Sequence, residues 1–269
     1  MITLKNNNLC IKFCDFFKCC LDRFKKRWVY LFAIYFSVIF FAFLFNKTGN
    51  YPLKIYIPLF IFIALCVLSF GSKTHRNAFI LIMVMGITFS LTTPIFDVPD
   101  EPAHLARGLY IVEGHFGMEE NNSQFNISED FQKYIDQIGN NLFNNNLSAY
   151  THNEETINNT AVKATNAYSF ISYLPQAFAL LLGKFLNLNL LHTFYLGRIL
   201  NLFAYAVLVS FGIKIIPEFK MPLLVVSSMP MSLYISASYN QDSIAMGLIV
   251  LVISFYVNIV YSCQIKEKK

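Results

Sequence analysis

Tyr168-Ser-Phe-Ile-Ser-Tyr-Leu-Pro175-Gln-Ala-Phe-Ala-Leu-Leu-Leu-Gly-Lys184-Phe-Leu186 decides how this chain is threaded. The run is close to the length that crosses a bilayer, but Pro175 and Lys184 interrupt it. If it spans, Lys214, Lys220, Lys266, Lys268 and Lys269 all fall on the side of the acidic segment that precedes it. If it lies in the interface or re-enters, those five lysines join the basic N-terminus, and only Lys184 and Arg198 stay opposite. Basic residues accumulate on the cytoplasmic side, so five against two selects an interfacial or re-entrant helix.

The rest of the sequence sets that choice in a membrane. Of 269 residues, 55% are hydrophobic and only 14% charged, with mean hydropathy +0.48, 28 Phe and 15 Tyr. A soluble domain carries about 25% charged residues, so this chain cannot cover itself with polar surface. Soluble enzymes, disordered tails and disulfide-stapled secreted domains are excluded. Apolar runs at Trp28–Phe45, Ile55–Phe70, Ala78–Phe96, Ile199–Ile216, Met221–Tyr239 and Ser243–Tyr261 are near span length. They must be helical, because lipid offers bare backbone no hydrogen-bond partner. The expected fold is all-α and integral to the membrane, with about six transmembrane helices, the interfacial helix and one long external loop.

Charge divides along the same lines. Eleven of the 16 acidic residues lie between Asp97 and Lys163, with only Arg107, Lys133 and Lys163 to balance them. Residues 1–27 form a basic tail ending at the first apolar run, which fits a cytoplasmic flank and not a nucleic-acid surface. Trp28–Phe45 is too long for a signal-peptide core and no small-residue cleavage site follows, so it is expected to stay as an anchor in the cytoplasmic membrane. The expected organisation is a tail at 1–27, three spans in 28–96, an external loop with juxtamembrane helices at 97–198, three spans in 199–262 and a basic tail at 263–269, both termini being cytoplasmic. Cys10, Cys14, Cys19 and Cys20 lie in the reducing compartment and lack paired CxxC units, while Cys66 and Cys263 read as small hydrophobes within spans. Asn140–Asn159 is polar and low in complexity, the pattern of a surface loop, and its surroundings hold Asn-x-Ser/Thr sequons at Asn121, Asn126, Asn146 and Asn158.

Polar chemistry concentrates in Asp97-Val-Pro-Asp100-Glu101-Pro-Ala-His104-Leu-Ala-Arg107, just outside the third apolar run. Asp100 suits a helix cap, and Glu101 and Pro102 suit a first turn. On such a helix Asp100, Glu101, His104 and Arg107 share one face, leaving the other for the membrane. Carboxylates and an imidazole can hold a divalent cation (Mg2+ or Mn2+) through Asp100, Glu101 and His104, or serve as a general base. Asp97, His104 and Arg107 would bind substrate, the guanidinium clamping phosphate. The alternative is a capped, solvated surface helix. Ser236-Ala-Ser-Tyr239-Asn240-Gln-Asp242-Ser243 is a second polar cluster, placed on the same side by the threading argument, and Asn240 and Asp242 would face the first. It also reads as a plain interhelical turn. Arg198 reads either as a phosphate ligand or as a snorkelling anchor.

These stretches carry a resemblance. Pro94 to Arg107 resembles the "PDEPxHxxRA" signature of a bacterial family of predicted membrane proteins assigned to the GT-C glycosyltransferases. Tyr168–Pro175 looks like a degraded "PPLYY" stretch of that family. Gly197-Arg198-Ile-Leu-Asn201 resembles its "R-L-x-N" helix start, and Ser238-Tyr-Asn240-Gln-Asp242 its "S-x-N-x-D" turn, in matching order from about residue 78 to 262. The resemblance implies sugar transfer from a polyprenyl-phosphate carrier to a glycan or cell-envelope acceptor at the outer membrane face. Asp100 or Glu101 would then be the catalytic base or metal ligand, Asp242 a second acidic residue and Arg198 the lipid-phosphate ligand. It also implies a longer protein, of which this chain would be a truncated or half form. A transporter and an inactive or partial assembly subunit are the competing readings. The first is disfavoured because no expected span has an ionisable residue near its middle.

Overall fold

The computed structural model describes residues 21–25, 28, 32, 36, 71–116, 125–128, 156–159, 165 and 168–267. The chain divides into two compact units, Met1–Ser72 and Lys73–Lys269. In the first, positions 21–25, 28, 32 and 36 are helical, and Trp28, Phe32 and Phe36 follow at four-residue intervals with their side chains exposed. An uncovered aromatic stripe of this kind suits lipid and not water. The apolar runs expected as spans at Trp28–Phe45 and Ile55–Phe70, and the four tail cysteines, otherwise lie outside the described residues.

The second unit begins with α1 (Thr74–Thr92), followed by α2 (Glu101–Val112). Strands β1 (Phe125–Ser128) and β2 (Thr156–Asn159) come next, then a 3-10 turn (Phe170–Tyr173) leading into α3 (Leu174–Phe185). The remainder is α4 (Leu190–Ile215), α5 (Lys220–Ser227), α6 (Pro230–Ser236) and α7 (Asp242–Glu267). Three helices are long and apolar enough to cross a membrane: α1, α4 and α7 over Asp242–Gln264.

Packing orients them. Ser210 Oγ of α4 donates to His75 O at the start of α1, while Arg198 of α4 reaches Ser90 O and Thr93 O at its end, so the two are antiparallel. Ser243 Oγ bonds Asn201 O, and a Cβ on Gly212 would meet Ser254, so α4 and α7 run parallel. Parallel neighbours need a connection that returns the chain from one end to the other, and α5 and α6 supply it. Lys220 lies with Lys73 and Lys214 near His75 at one end, and Tyr239, after α6, reaches Glu101 at the other. The two polar clusters thus share one end of the bundle and a basic group marks the opposite end.

The core of this unit forms where the inner face of α4 (Leu202, Tyr205, Ala206, Val209, Ile213) meets Ala78 and Ile82 of α1. Its outer face, with Phe203, Val207 and Phe211, is exposed, as is most of α7. A helix apolar on both faces is stable only where lipid covers the second.

Four expectations change. The run Met221–Tyr239 is not one helix but two, because Pro230 lacks an N–H and forces Met229 into an extended conformation (ψ 142°). The freed carbonyl of Ser227 instead accepts from Tyr205 Oη of α4 at 2.8 Å. The run read as starting at Ile199 begins nine residues earlier, where Asn189 Oδ1 accepts from His192 N, so Arg198 lies inside a helix and not at its entrance. The fold is helical as expected apart from one short ladder, so the Asn-rich stretch is not all loop. Part of the Asn-rich stretch pairs as an antiparallel ladder, Phe125 opposite Asn159 and Asn126 opposite Asn158. Finally, Asp242–Glu267 carries a helix past the expected tail boundary at 263.

The deciding stretch forms a turn and a 12-residue helix. Such a helix rises about 18 Å, short of the roughly 30 Å hydrocarbon core. It folds back on α4 so closely that a Cβ at Gly183 would lie 2.4 Å from Thr193. Removing only the hydroxyl in Tyr205→Phe leaves the Ser227 carbonyl unpaired. Thermal unfolding in nanodiscs is expected to show a loss of about 1 kcal/mol.

Candidate functional site

The site starts where α1 ends. Two non-glycine residues in the following turn are left-handed, Phe96 (φ 62°) and Asp100 (φ 59°). For bulky Phe96 that conformation is unfavourable, and it persists because the turn wraps a buried carboxylate. The Phe96 N–H donates to Glu101 Oε2 at 3.1 Å.

Glu101, the first residue of α2, is wholly buried. Arg198 Nε donates to its Oε1 at 2.8 Å and Nη2 to its Oε2 at 2.7 Å, a bidentate pair. Tyr239 N–H adds a bond to Oε1 at 3.0 Å. The remaining Arg198 hydrogens go to the carbonyls of Ser90 and Thr93 at 2.9 Å and of Pro94 at 3.0 Å. All five donors of a guanidinium are thereby used. The guanidinium also stacks 4.7 Å above the Phe194 ring, which in turn stacks on Tyr239. Gly197 makes this possible, since a Cβ there would sit 1.8 Å from Tyr239 Oη.

One turn along α2, His104 Nδ1 is 2.8 Å from Tyr173 Oη, both groups buried. Burial lowers the His104 pKa, working against Asp100, Asp242 and Glu101, which raise it. Burial raises the Tyr173 pKa. Asn240 Oδ1 accepts from Ser243 N at 2.9 Å, and its Nδ2 donates to Ser238 Oγ and Ile235 O, closing the turn into α7. Gln176 Nε2 donates to Asn240 O, tying α3 to that turn.

The structure therefore sorts the residues singled out from sequence. Asp97, Asp100 and Asp242 are exposed, and Asp100 and Asp242 both act on His104, so the two clusters do meet. Asp100 stands at the start of α2 but makes no capping bond, because its left-handed backbone turns the side chain away. The expected common face of Asp100, Glu101, His104 and Arg107 does not form. Glu101 turns into the ion pair, and α2 is buried nearly all round, His104 and Arg107 included. Arg198 has no donor left for a phosphate, and the Asn240 side chain is engaged within its own turn. Among the described residues no three His, Cys, Asp or Glu side chains gather as a metal set, so Asp100, Glu101 and His104 are not arranged as one. Sequence reasoning gave no role to Tyr173, Gln176 or Tyr239. Their signal was a polar-tipped residue beside a helix start in an apolar run.

A family model described as a predicted membrane protein (DUF2142) matches residues 81–269, which includes every element of this site. No curated protein and no solved structure matches the chain.

Two outcomes follow from this geometry. Arg198→Ala strands a buried carboxylate and is expected to cost about 3–5 kcal/mol, read as loss of monodisperse protein in detergent, whereas Asp100→Asn should leave the fold intact. Because the folded His104 pKa lies below its ordinary 6.5, the folded state binds fewer protons than the unfolded chain below that pH. Stability should be full above pH 6.5 and fall as the pH is lowered through the folded pKa, and His104→Gln should flatten that melting-temperature profile.

Proposed function

The chain belongs to the DUF2142 family of predicted membrane proteins, and from that premise we propose a GT-C-like glycosyltransferase that moves a sugar from a polyprenyl-phosphate carrier to a glycan or other cell-envelope acceptor. The observation that carries this reading is the division of labour between two adjacent carboxylates. Glu101 is spent on Arg198, while Asp100 is exposed, bears no capping bond and lies with Asp242 at the same end of the bundle. A carboxylate kept free beside one consumed by structure is what a general base requires.

In this reading Asp100 takes the proton of an acceptor hydroxyl as that oxygen bonds the anomeric carbon. The bond from that carbon to the phosphate oxygen breaks, and its electron pair leaves on the phosphate. Asp97 and Asp242 accept hydrogen bonds from sugar hydroxyls and orient the ring. Glu101 and Arg198 are positioning residues that fix the turn carrying Asp100, and Asn240 fixes the start of α7 and with it Asp242. Among the described residues no three side chains are gathered as a metal centre, and no step is assigned to a cation.

In this reading the apolar runs Trp28–Phe45 and Ile55–Phe70 count with α1, α4, the α5–α6 pair and α7 as six crossings, with both termini cytoplasmic. The basic end at Lys73, Lys214 and Lys220 faces the cytoplasm and the carboxylates face outward. A site at bilayer level on that side suits a lipid-linked donor, since nucleotide sugars are absent there.

The test is transfer from a polyprenyl-phosphate sugar in proteoliposomes. Asp100→Asn keeps a residue that tolerates the left-handed conformation, and it is expected to lower transfer about 10²- to 10⁴-fold without changing the melting temperature. Transfer at the unmodified rate by this variant, or solute flux with no transfer by the unaltered chain, would overturn the reading.

A further inference from the structure

Among the described residues two arginines are completely buried, and only one of them is satisfied. Arg198 uses all its donors on Glu101 and three carbonyls. Arg107 has no exposed surface, yet its Nε, Nη1 and Nη2 all lack a hydrogen-bond partner. The Tyr110 ring lies 5.3 Å from its Cζ. The groups that act on its charge are Tyr173 and Tyr110, neither of them an anion at neutral pH. An uncompensated guanidinium in an apolar interior is among the costliest arrangements a fold can keep. A fold retains one where a ligand supplies the missing charge.

We propose that Arg107 is the receptor for a phosphate group, free or carried on a lipid, at the inner side of the exposed carboxylates. The guanidinium presents an unused planar fork, the geometry that two phosphate oxygens match. Tyr173, whose hydroxyl acts on the Arg107 charge, belongs to a turn whose Ile171 and neighbouring Leu174 are exposed. Tyr173 Oη ties that turn to His104. Along α2 the exposed Asp100 comes first, the His104–Tyr173 pair next and Arg107 after it. A bound phosphate is thus separated from the carboxylates by neutral groups. Burial also lowers the Arg107 pKa, a penalty that a bound anion reverses. The existence of an oxyanion site stands apart from glycosyl transfer; only its assignment to the donor's phosphate rests on that reading.

The experiment measures ligand-induced thermal stabilisation and binding of the full chain in micelles of an amine-oxide detergent, which contain no phosphate, no sugar and no acceptor. One arm adds inorganic phosphate, and the other incorporates polyprenyl phosphate. Stabilisation in the first arm identifies free phosphate, and in the second alone a lipid-borne group. Arg107→Gln is expected to weaken binding by roughly tenfold or more, and Arg107→Lys, which keeps the charge but loses the fork, by less. Without ligand, Arg107→Gln should melt at the same temperature as the unaltered chain or higher, since it removes an unpaired buried charge. No stabilisation in either arm, binding unchanged in Arg107→Gln, or a lower ligand-free melting temperature in that variant would each overturn the proposal. The last result would mark Arg107 as structural. Since no transfer is measured, failure here is distinct from failure of the Asp100 assignment.

Discussion

The buried pair between Glu101 and Arg198 is the interaction on which the rest of this structure depends. It joins four pieces of chain: the last turn of α1 through Ser90 and Thr93, the turn after it through Pro94 and Phe96, the start of α2, and the Tyr239 backbone before α7. A salt bridge removed from water is favourable only when every lone pair and hydrogen finds a partner. Here the guanidinium is saturated, and the carboxylate accepts two backbone N–H groups in addition to the fork. The cluster tolerates no looser geometry, which is why the Phe96 backbone is held left-handed and why Gly197 must lack a side chain.

That constraint propagates to the chemistry. Once Glu101 faces inward, Asp100, held left-handed at the head of the same helix, is left exposed. Once Tyr239 is fixed on Glu101, the following turn places Asp242 at the same end, and Gln176 clips α3 onto that turn. The exposed carboxylates stand on a buried frame: Asp242 accepts from its neighbour Gln241, and Asp100 makes no capping bond. A functional group whose removal leaves the frame standing is the arrangement a catalytic site needs.

The helix break between α5 and α6 has a similar logic. Pro230 interrupts backbone bonding within an apolar stretch, which a nonpolar setting would penalise. Tyr205 from α4 repairs it, so the break is located by a neighbour and is not a loose joint. The α5–α6 pair also returns the chain between the ends of the bundle, which allows α4 and α7 to lie parallel.

Sequence by itself determined the solvent, the apolar elements of Lys73–Lys269 to within a few residues at most boundaries, and the meeting of two polar clusters at one end. These are additive local properties: hydropathy summed over a window, and charge counted on either side of it. That the Tyr168–Leu186 run holds a helix too short to cross was readable for the same reason, although Pro175 opens that helix and Lys184 lies in its last turn, so neither interrupts it. Tertiary structure alone decided which of two adjacent carboxylates is exposed and which of two arginines is paired. Asp100 and Glu101 differ little in composition or spacing, and Arg107 is much the nearer to Glu101 in sequence, on the same helix. Yet the partner chosen is Arg198, 97 positions away. Pairing over that distance follows from which side chains helix packing brings into the same dry space, and no local window of sequence contains that information.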